Sequence, residues 1–459
     1  MTVNVHDAIE QLEDELASSH LDSAHLDVIN SLAKQIPTHE LTRLVSNRPI
    51  VQSAVLFRVL KKDEALTVFE NLPPSYQADL IQALRGPDVA EIIEGLDPDD
   101  RAELFGELPA IVVKSMMKGL SHDERTKTSI VLGYPRDAIG RYMSPEVLSL
   151  HEDWDARRAL DVVRERIYEP ETVYLLPVLA RGRTLVGVVS LRTLVGASPD
   201  TPVTELMREP SSVEAMTDRE DAARSFLDQR LIAMPVVDAE NRLLGILTMD
   251  DALDIIDEED AEDAARGSGS EPLDRSYMSS SIMKIVKSRI VWLLVLAVSA
   301  VLTVQVLDLY EDRLAQVVAL ALFIPLLTGT GGNAGNQAAT TVTRALAVGE
   351  VRVRDLMMVM WREVRVGASL GLVLGSLGFL ISGLIYGFQL GSVIGLTLLC
   401  ICTMAASVGG LMPILAKKVG ADPAVFSNPF ISTFCDATGL IIYFTIATAV
   451  SYTHLTLPT

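Results

Sequence analysis

Between Arg365 and Lys417 the chain runs for 51 residues without a charged side chain. A helix rises 1.5 Å per residue, so this run is enough for two crossings of a lipid bilayer and too long for a soluble core helix. Residues 290–307 add 18 uncharged residues, and residues 314–343 add 30, about 45 Å if wound as one helix. A fifth apolar run covers 429–450. Backbone polar groups in lipid must be satisfied within the segment, so these runs are expected to be helices, with a turn at YGFQLGS (386–392). From residue 423 onward, Asp436 is the only acidic or basic residue apart from His454. A charge at mid-bilayer costs about 2.5–3.5 kcal/mol or more, so Asp436 is a candidate functional residue that needs water and a partner.

Basic residues set the expected orientation. Lys284, Lys287 and Arg289 precede the first span; Arg344, Arg352, Arg354, Arg362 and Arg365 lie between the second and third; Lys417 and Lys418 lie between the fourth and fifth. The opposite loops offer only Arg313. A cytoplasmic N-terminus and an outside C-terminus in a plasma (inner) membrane follow. No basic-then-apolar signal peptide opens the chain. The tail 452–459 loses the composition of the span abruptly; it reads as a non-native extension and is assigned no function.

Charge divides the molecule. Residues 1–280 hold 52 acids and 28 bases, whereas 281–459 hold 8 acids and 11 bases. An acidic soluble half argues against nucleic acid, whose phosphates need Lys and Arg, and fits cation binding. Cys400, Cys402 and Cys435 lie in apolar stretches without metal-ligand spacing, which argues against disulfides and zinc.

Two repeats organise the soluble half. Leucine recurs every twelve residues from Leu60 to Leu132, with apolar pairs such as Leu56-Phe57 and Leu104-Phe105 just before it. Turn-prone residues follow each unit, which predicts a solenoid of short helices over 1–138. From residue 139 a second repeat sets Leu176-Pro177-Val178 against Met234-Pro235-Val236, 58 residues on. Its β-rich and helical alternation resembles tandem CBS domains, at 139–200 and 201–256. In that family a G-x-x-[ST]-x-x-D run binds the ribose of an adenine nucleotide such as ATP. The second copy carries it as Gly245, Thr248 and Asp251, while the first has Thr193 in place of the acid.

The run DDALDIIDEEDAED (250–263) holds nine acids and no base. It reads either as a solvated linker or as a cation-sensing helix, since packed like charges repel unless cations screen them. Oxygen-only donors suit Mg²⁺ or Ca²⁺. In the second span, GTGGNAGNQAATTVTRAL (329–346) combines four glycines with Asn333, Asn336 and Gln337. Close helix packing explains the glycines. A loosened, water-lined helix explains the amides as well. Asp422 and Asn428 add polar groups before span five.

PLLTGTGGNAGNQAAT and ADPAVFSNPFISTFCDATGLIIYF make the chain resemble the MgtE family of magnesium channels. That resemblance implies a multidomain membrane protein: an α-helical solenoid N-domain, tandem α/β CBS domains, an acidic connecting helix and linker at 257–285, and a five-helix transmembrane pore domain at 286–451. It implies a homodimer for Mg²⁺ uptake, with two copies of Asp436 at the main ion site. Asn333, Gln337 and Asn428 match pore-lining positions, with Glu311 an acid at the outer end. Regulatory Mg²⁺ is implied at Asp251, Asp254, Glu259, Glu262 and Asp263, at Asp218 and Glu220, and at the facing Asp99 and Asp100. Rival readings are transport of Co²⁺ or Mn²⁺, coupled exchange, and a CBS-gated sensor that moves nothing. Intramembrane aspartyl proteolysis needs two acids within spans, and this chain has one.

Overall fold

A computed structural model describes residues 5–17, 23–84, 86–273, 277–278, 280–420 and 428–455. It forms two compact units, Met1–Glu259 with Leu273–Ser280, and Asp260–Pro272 with Ser281–Thr459.

The first unit opens with α1 (Val5–Ala17), α2 (Ser23–Ala33), α3 (Thr38–Ser46) and α4 (Ile50–Val59). It continues with α5 (Lys62–Glu70), α6 (Pro74–Ala83), α7 (Gly86–Gly95), α8 (Pro98–Glu107), α9 (Ala110–Gly119) and α10 (His122–Leu132). From α4 to α10 each helix starts twelve residues after the one before, as the leucine spacing predicts. Proline at the first helical position of α6 and α8 costs no hydrogen bond there and presets the helix. The periodic leucines Leu72, Leu84, Leu96, Leu108 and Leu120 are buried where the helices turn. Each turn is short, so a helix packs on the next but one: α4 on α6, α6 on α8, α8 on α10, and α7 on α9.

Two three-stranded sheets follow. β1 (Leu150–His151), β2 (Leu175–Leu179) and β3 (Leu185–Ser190) form one; β4 (Val213–Glu214), β5 (Ala233–Val237) and β6 (Leu243–Thr248) form the other. In each, the first pair is parallel and the second antiparallel. The registers coincide at the repeat offset, Pro177 facing Val188 and Pro235 facing Ile246. Helices α11 (Ala156–Glu165), α12 (Leu191–Gly196), α13 (Val203–Leu206) and α14 (Arg219–Asp228) complete the two copies.

The acidic run is not a linker. It lies wholly within α15 (Met249–Gly267), which leaves directly from β6 and passes residues 256 and 257 without a break. Its anchors are Ala252 and Ile255, buried with Ile139, Met143, Phe226 and Leu247.

In the second unit α16 (Ile282–Leu309), α17 (Glu311–Gln316), α18 (Ile324–Ala347), α19 (Leu356–Tyr386), α20 (Phe388–Lys418) and α21 (Asn428–Leu455) include five segments long and apolar enough to cross a membrane. The second run is not one helix from residue 314. It passes through α17 and a 3₁₀ turn at Val318–Phe323 before α18 begins, with proline in its first turn. The expected turn before span four is a single residue, Gly387, at φ +95°, where a side chain would be strained. Gly367 and Gly371 let α19 approach α20 closely: a Cβ there would lie 2.6 Å from the Cys402 carbonyl oxygen and 2.7 Å from Leu399 Cα. By contrast α16 buries no residue within the single chain.

Candidate cation sites

In the soluble unit the site starts with the rotation of α8. Arg101 is fully buried and donates to the carbonyl of Ile93 (2.8 Å), to the Thr128 hydroxyl (2.8 Å) and to Glu124 (3.0 Å). Two residues back on a helix of 3.6 residues per turn is about 200° round, so locking Arg101 on one side turns Asp99 to the other. There the carboxylates of Asp99, Glu171 and Asp251 converge, one oxygen of each lying within 4.8 Å of the others. Asp99 Oδ1 and Glu171 Oε2 are buried and accept no hydrogen bond. Asp251, in the first turn of α15, accepts from the Thr248 hydroxyl and from its backbone N–H at 3.4 Å.

The electrostatics are one-sided. Burial, then Asp251 and Glu171, holds Asp99 well above the usual carboxylate range. Burial and Asp251 push Asp100 up to about 9. Burial, then Asp251, pushes Glu171 up to about 8 against a hydrogen bond from Ser144. Asp251 rises to about 7, driven by burial, with Thr248 opposing and Asp250 and Asp254 adding to it. Asp254 is raised by burial and by Asp250. Buried carboxylates with orphaned oxygens and raised affinity for protons are short of positive charge, and a hard cation supplies it. Adjacent ligand oxygens of six-coordinate Mg²⁺ stand about 3 Å apart and opposite ones about 4.2 Å, so the three carboxylates have to draw closer to share one ion.

The other predicted ligands do not join this cluster. Asp218 caps α14, accepting from the N–H groups of Glu220 (3.0 Å) and Asp221 (3.3 Å). Glu220 pairs with Arg224 at 2.7 Å, Glu259 with Arg219 at 2.7 Å, and Glu262 with Arg266. Asp263 lies further along α15. The nucleotide triplet has local reasons to exist. A Cβ on Gly245 would lie 2.6 Å from the Ser144 carbonyl oxygen, and Thr248 and Asp251 bond each other.

Glu171 and the half-buried Glu103 of α8 do not stand out in the sequence. At the repeat offset the counterpart of Glu171 is Gln229, and positions 169, 170 and 172 differ between the copies as well, so the repeat gives no signal there.

In the membrane unit α18 is an unbroken helix, so the loosened-helix expectation fails. Gly331, Gly332 and Gly335 face inward: a Cβ on Gly331 would lie 2.6 Å from Ile401, and one on Gly335 2.8 Å from Ile431. The other stripe, Asn333, Asn336, Gln337, Thr340 and Thr341, lines an open cleft of about 360 Å³. Asn336 donates to the Ser432 hydroxyl at 2.9 Å, while its Oδ1 is buried without a partner. Gly331 faces Cys435, Gly335 faces Ile431, and Tyr443 donates to the Leu320 carbonyl, so α18 and α21 run antiparallel. Half-buried Asp436 stands one turn beyond Ser432 on α21 and is not among the residues lining the cleft. Glu311 is exposed at the start of α17. Asp422 and the side chain of Asn428 lie outside the described residues.

Comparison with known proteins places this architecture. A family model described as a divalent cation transporter, MgtE, matches residues 324–446; the MgtE intracellular N domain matches 36–137; the CBS domain matches 139–200 and 203–258. The magnesium transporter MgtE of Thermus thermophilus is 38% identical over 318 residues, covering 68% of this chain and 70% of the relative. The chain belongs to the MgtE family of magnesium transporters. The Enterococcus faecalis MgtE is 36% identical over 319 residues, covering 69% of this chain and 70% of that one. Among solved structures, the cytosolic domain of the Mg²⁺ channel MgtE in complex with ATP aligns over 56% of this chain and all of its own, at 28% identity and a TM-score of 0.49. MgtE proteins are magnesium transporters rather than enzymes.

Proposed function

We propose that this MgtE family member is a Mg²⁺ uptake channel of the cell membrane, gated by the Mg²⁺ concentration of the cytosol. The observation that carries the gating is the convergence of Asp99, Glu171 and Asp251 with two buried, unpartnered carboxylate oxygens. At low Mg²⁺ this cluster repels itself and opposes the compact soluble arrangement. At high Mg²⁺ the ion binds only that arrangement and stabilises it by mass action. Helix α15 continues from the cluster into a segment fastened to α16: the Glu271 N–H donates to the Ser288 carbonyl at 2.9 Å, and Trp292 Nε1 donates to Glu271 at 2.9 Å. Cation-dependent closing of the cluster at the start of α15 can thus be passed along the helix to the spans and close the path, giving negative feedback on uptake.

Transport itself is assigned to Asp436 and the amide stripe of α18. Mg²⁺ sheds water reluctantly, so carboxylates and amides that bind its hydration shell suit it. The path forms at the axis of a homodimer, where two Asp436 side chains repel when empty and favour a divalent occupant. The basic loops orient the N-terminus inward and the C-terminus outward.

The test is ion flux into proteoliposomes with Mg²⁺ set separately on each side. Uptake that falls as Mg²⁺ rises on the side of the soluble unit supports the reading. Flux indifferent to that concentration removes the gating, and flux carried equally by Mn²⁺ and Co²⁺ removes the Mg²⁺ preference.

A further inference from the structure

Glu258 and Glu259 belong to the acidic run, but they meet a cation that cannot leave. Arg219, at the start of α14, is 17% exposed. Its Nε and Nη2 reach Glu259 Oε1 at 2.8 and 2.7 Å, and its Nη1 donates to Glu258 Oε2 at 3.0 Å and to the Tyr142 hydroxyl at 2.6 Å. The guanidinium also lies over the Tyr142 ring, 5.4 Å from its centre. One side chain therefore joins α14, the chain just before β1 and the middle of α15. Burial alone would weaken its charge, but Tyr142, Glu259 and Glu258 outweigh that and hold it firmly protonated. Glu103 of α8 is pushed up to about 8 by burial, Glu258, Asp251 and Asp254, and Arg219 is the basic group opposing them.

A bound divalent ion exchanges with solvent; an arginine is present at a fixed effective concentration at every cation level. Arginine also matches a pair of carboxylates with a rigid fork of donors, which makes it a good permanent substitute for an ion. We propose that Arg219 is a resident counter-cation that holds the Glu258–Glu259 stretch of α15 on the CBS pair whether or not Mg²⁺ is bound. The divalent-dependent step is then left to the Asp99–Glu171–Asp251 cluster; this last consequence, unlike the proposal itself, rests on the gating described above.

The experiment is amide hydrogen exchange of residues 253–259 in the full-length, detergent-solubilised protein, with EDTA or with saturating Mg²⁺. The wild type is expected to protect this stretch equally in both. Arg219→Gln takes the guanidinium away from both carboxylates, so exchange in EDTA accelerates by about ten- to a hundredfold, the worth of charged hydrogen bonds. Mg²⁺ restores protection, because the freed carboxylates then take an ion. Combining Arg219→Gln with Glu258→Gln and Glu259→Gln restores protection in EDTA and removes the response to Mg²⁺, which separates lost charge pairing from a general failure to fold. The proposal is overturned if the wild-type stretch needs Mg²⁺ for protection, or if Arg219→Gln is protected in EDTA like the wild type. It is overturned equally if Mg²⁺ fails to restore the single variant, since Arg219 would then act by packing. Flux that ignores cytosolic Mg²⁺, alongside the expected exchange pattern, would remove the gating and leave Arg219 in its role.

Discussion

The cleft of α18 and the carboxylate cluster of the soluble unit both take polar groups out of bulk water, in opposite ways. The cleft is local: residues 333, 336, 337, 340 and 341 follow one face of one helix, and its amides and hydroxyls are neutral. Water can fill it at little cost. The cluster is non-local, drawing Asp99, Glu171 and Asp251 from the solenoid, the first repeat copy and the start of α15. Its members carry like charge, so water is a poor substitute for a cation. A conduit should tolerate being empty of ions, and a sensor should not. The variants below break or sharpen that contrast.

Asp436 is the exception on the membrane side, a charge beside a neutral cleft, and it carries the largest expected effect. Asp436→Ala should cut Mg²⁺ flux by about a hundredfold or more, the worth of charged contacts from two copies, while gel filtration shows an intact oligomer. Undiminished flux in the folded variant removes Asp436 from the path. Asp436→Asn keeps size and polarity, and isolates the charge.

Next comes the cluster. A protein that binds Mg²⁺ only when compact gains about 2.7 kcal/mol at a hundredfold excess over Kd. The triple variant Asp99→Asn, Glu171→Gln, Asp251→Asn should lose that increment in thermal unfolding and conduct at Mg²⁺ levels that close the wild type. Its Mg²⁺-free form should be more stable than the wild type, since neutral amides no longer repel. A variant that still closes at the wild-type concentration would return these acids to a structural role.

The glycine stripe of α18 should behave like a core. A Cβ on Gly409 of α20 would collide with the Gly335 carbonyl. Gly409→Ala should cost about 1–3 kcal/mol by overpacking, read as a lower unfolding temperature in detergent. Unchanged stability would show that the two helices are not held by this contact.

Protons should partly stand in for the missing cation. The folded-state values of Asp251, Glu171 and Asp100, about 7, 8 and 9, lie above the value of about 4 expected in the unfolded chain. Raised values mean that the folded form binds protons more tightly. Stability is therefore fully present below about 4 and is lost as pH rises through the folded-state values. In EDTA the unfolding temperature of the soluble unit should rise by a few degrees from pH 9 to pH 6. The triple variant should lose most of that slope, and an equal slope in both proteins would place the titration elsewhere.

The smallest effects belong to the neutral amides. Asn333→Leu and Gln337→Leu should each change conductance, or the preference among Mg²⁺, Mn²⁺ and Co²⁺, by a few-fold, about one hydrogen bond's worth. Neither should disturb folding, because both side chains line the cleft rather than the packed stripe. Wild-type conduction and selectivity in both would leave the amides without a part in transport.

Sequence alone determined what depends on neighbours along the chain. Uncharged runs located the spans, the twelve-residue leucine spacing located the solenoid helices, and the 58-residue echo located the paired sheets. Hydrophobic periodicity is local physics, so it survives without coordinates. Tertiary structure decided which acids meet. Asp99 and Asp251 lie 152 residues apart, and Glu171 joins them only because Arg101 sets the rotation of α8 and β6 leads straight into α15. It also decided which acids already face a basic side chain: Glu259, Glu220 and Glu262 look like Asp251 in a charge count, yet each has an arginine beside it. Coulomb energy depends on distance in space, and a single sequence records distance along the chain.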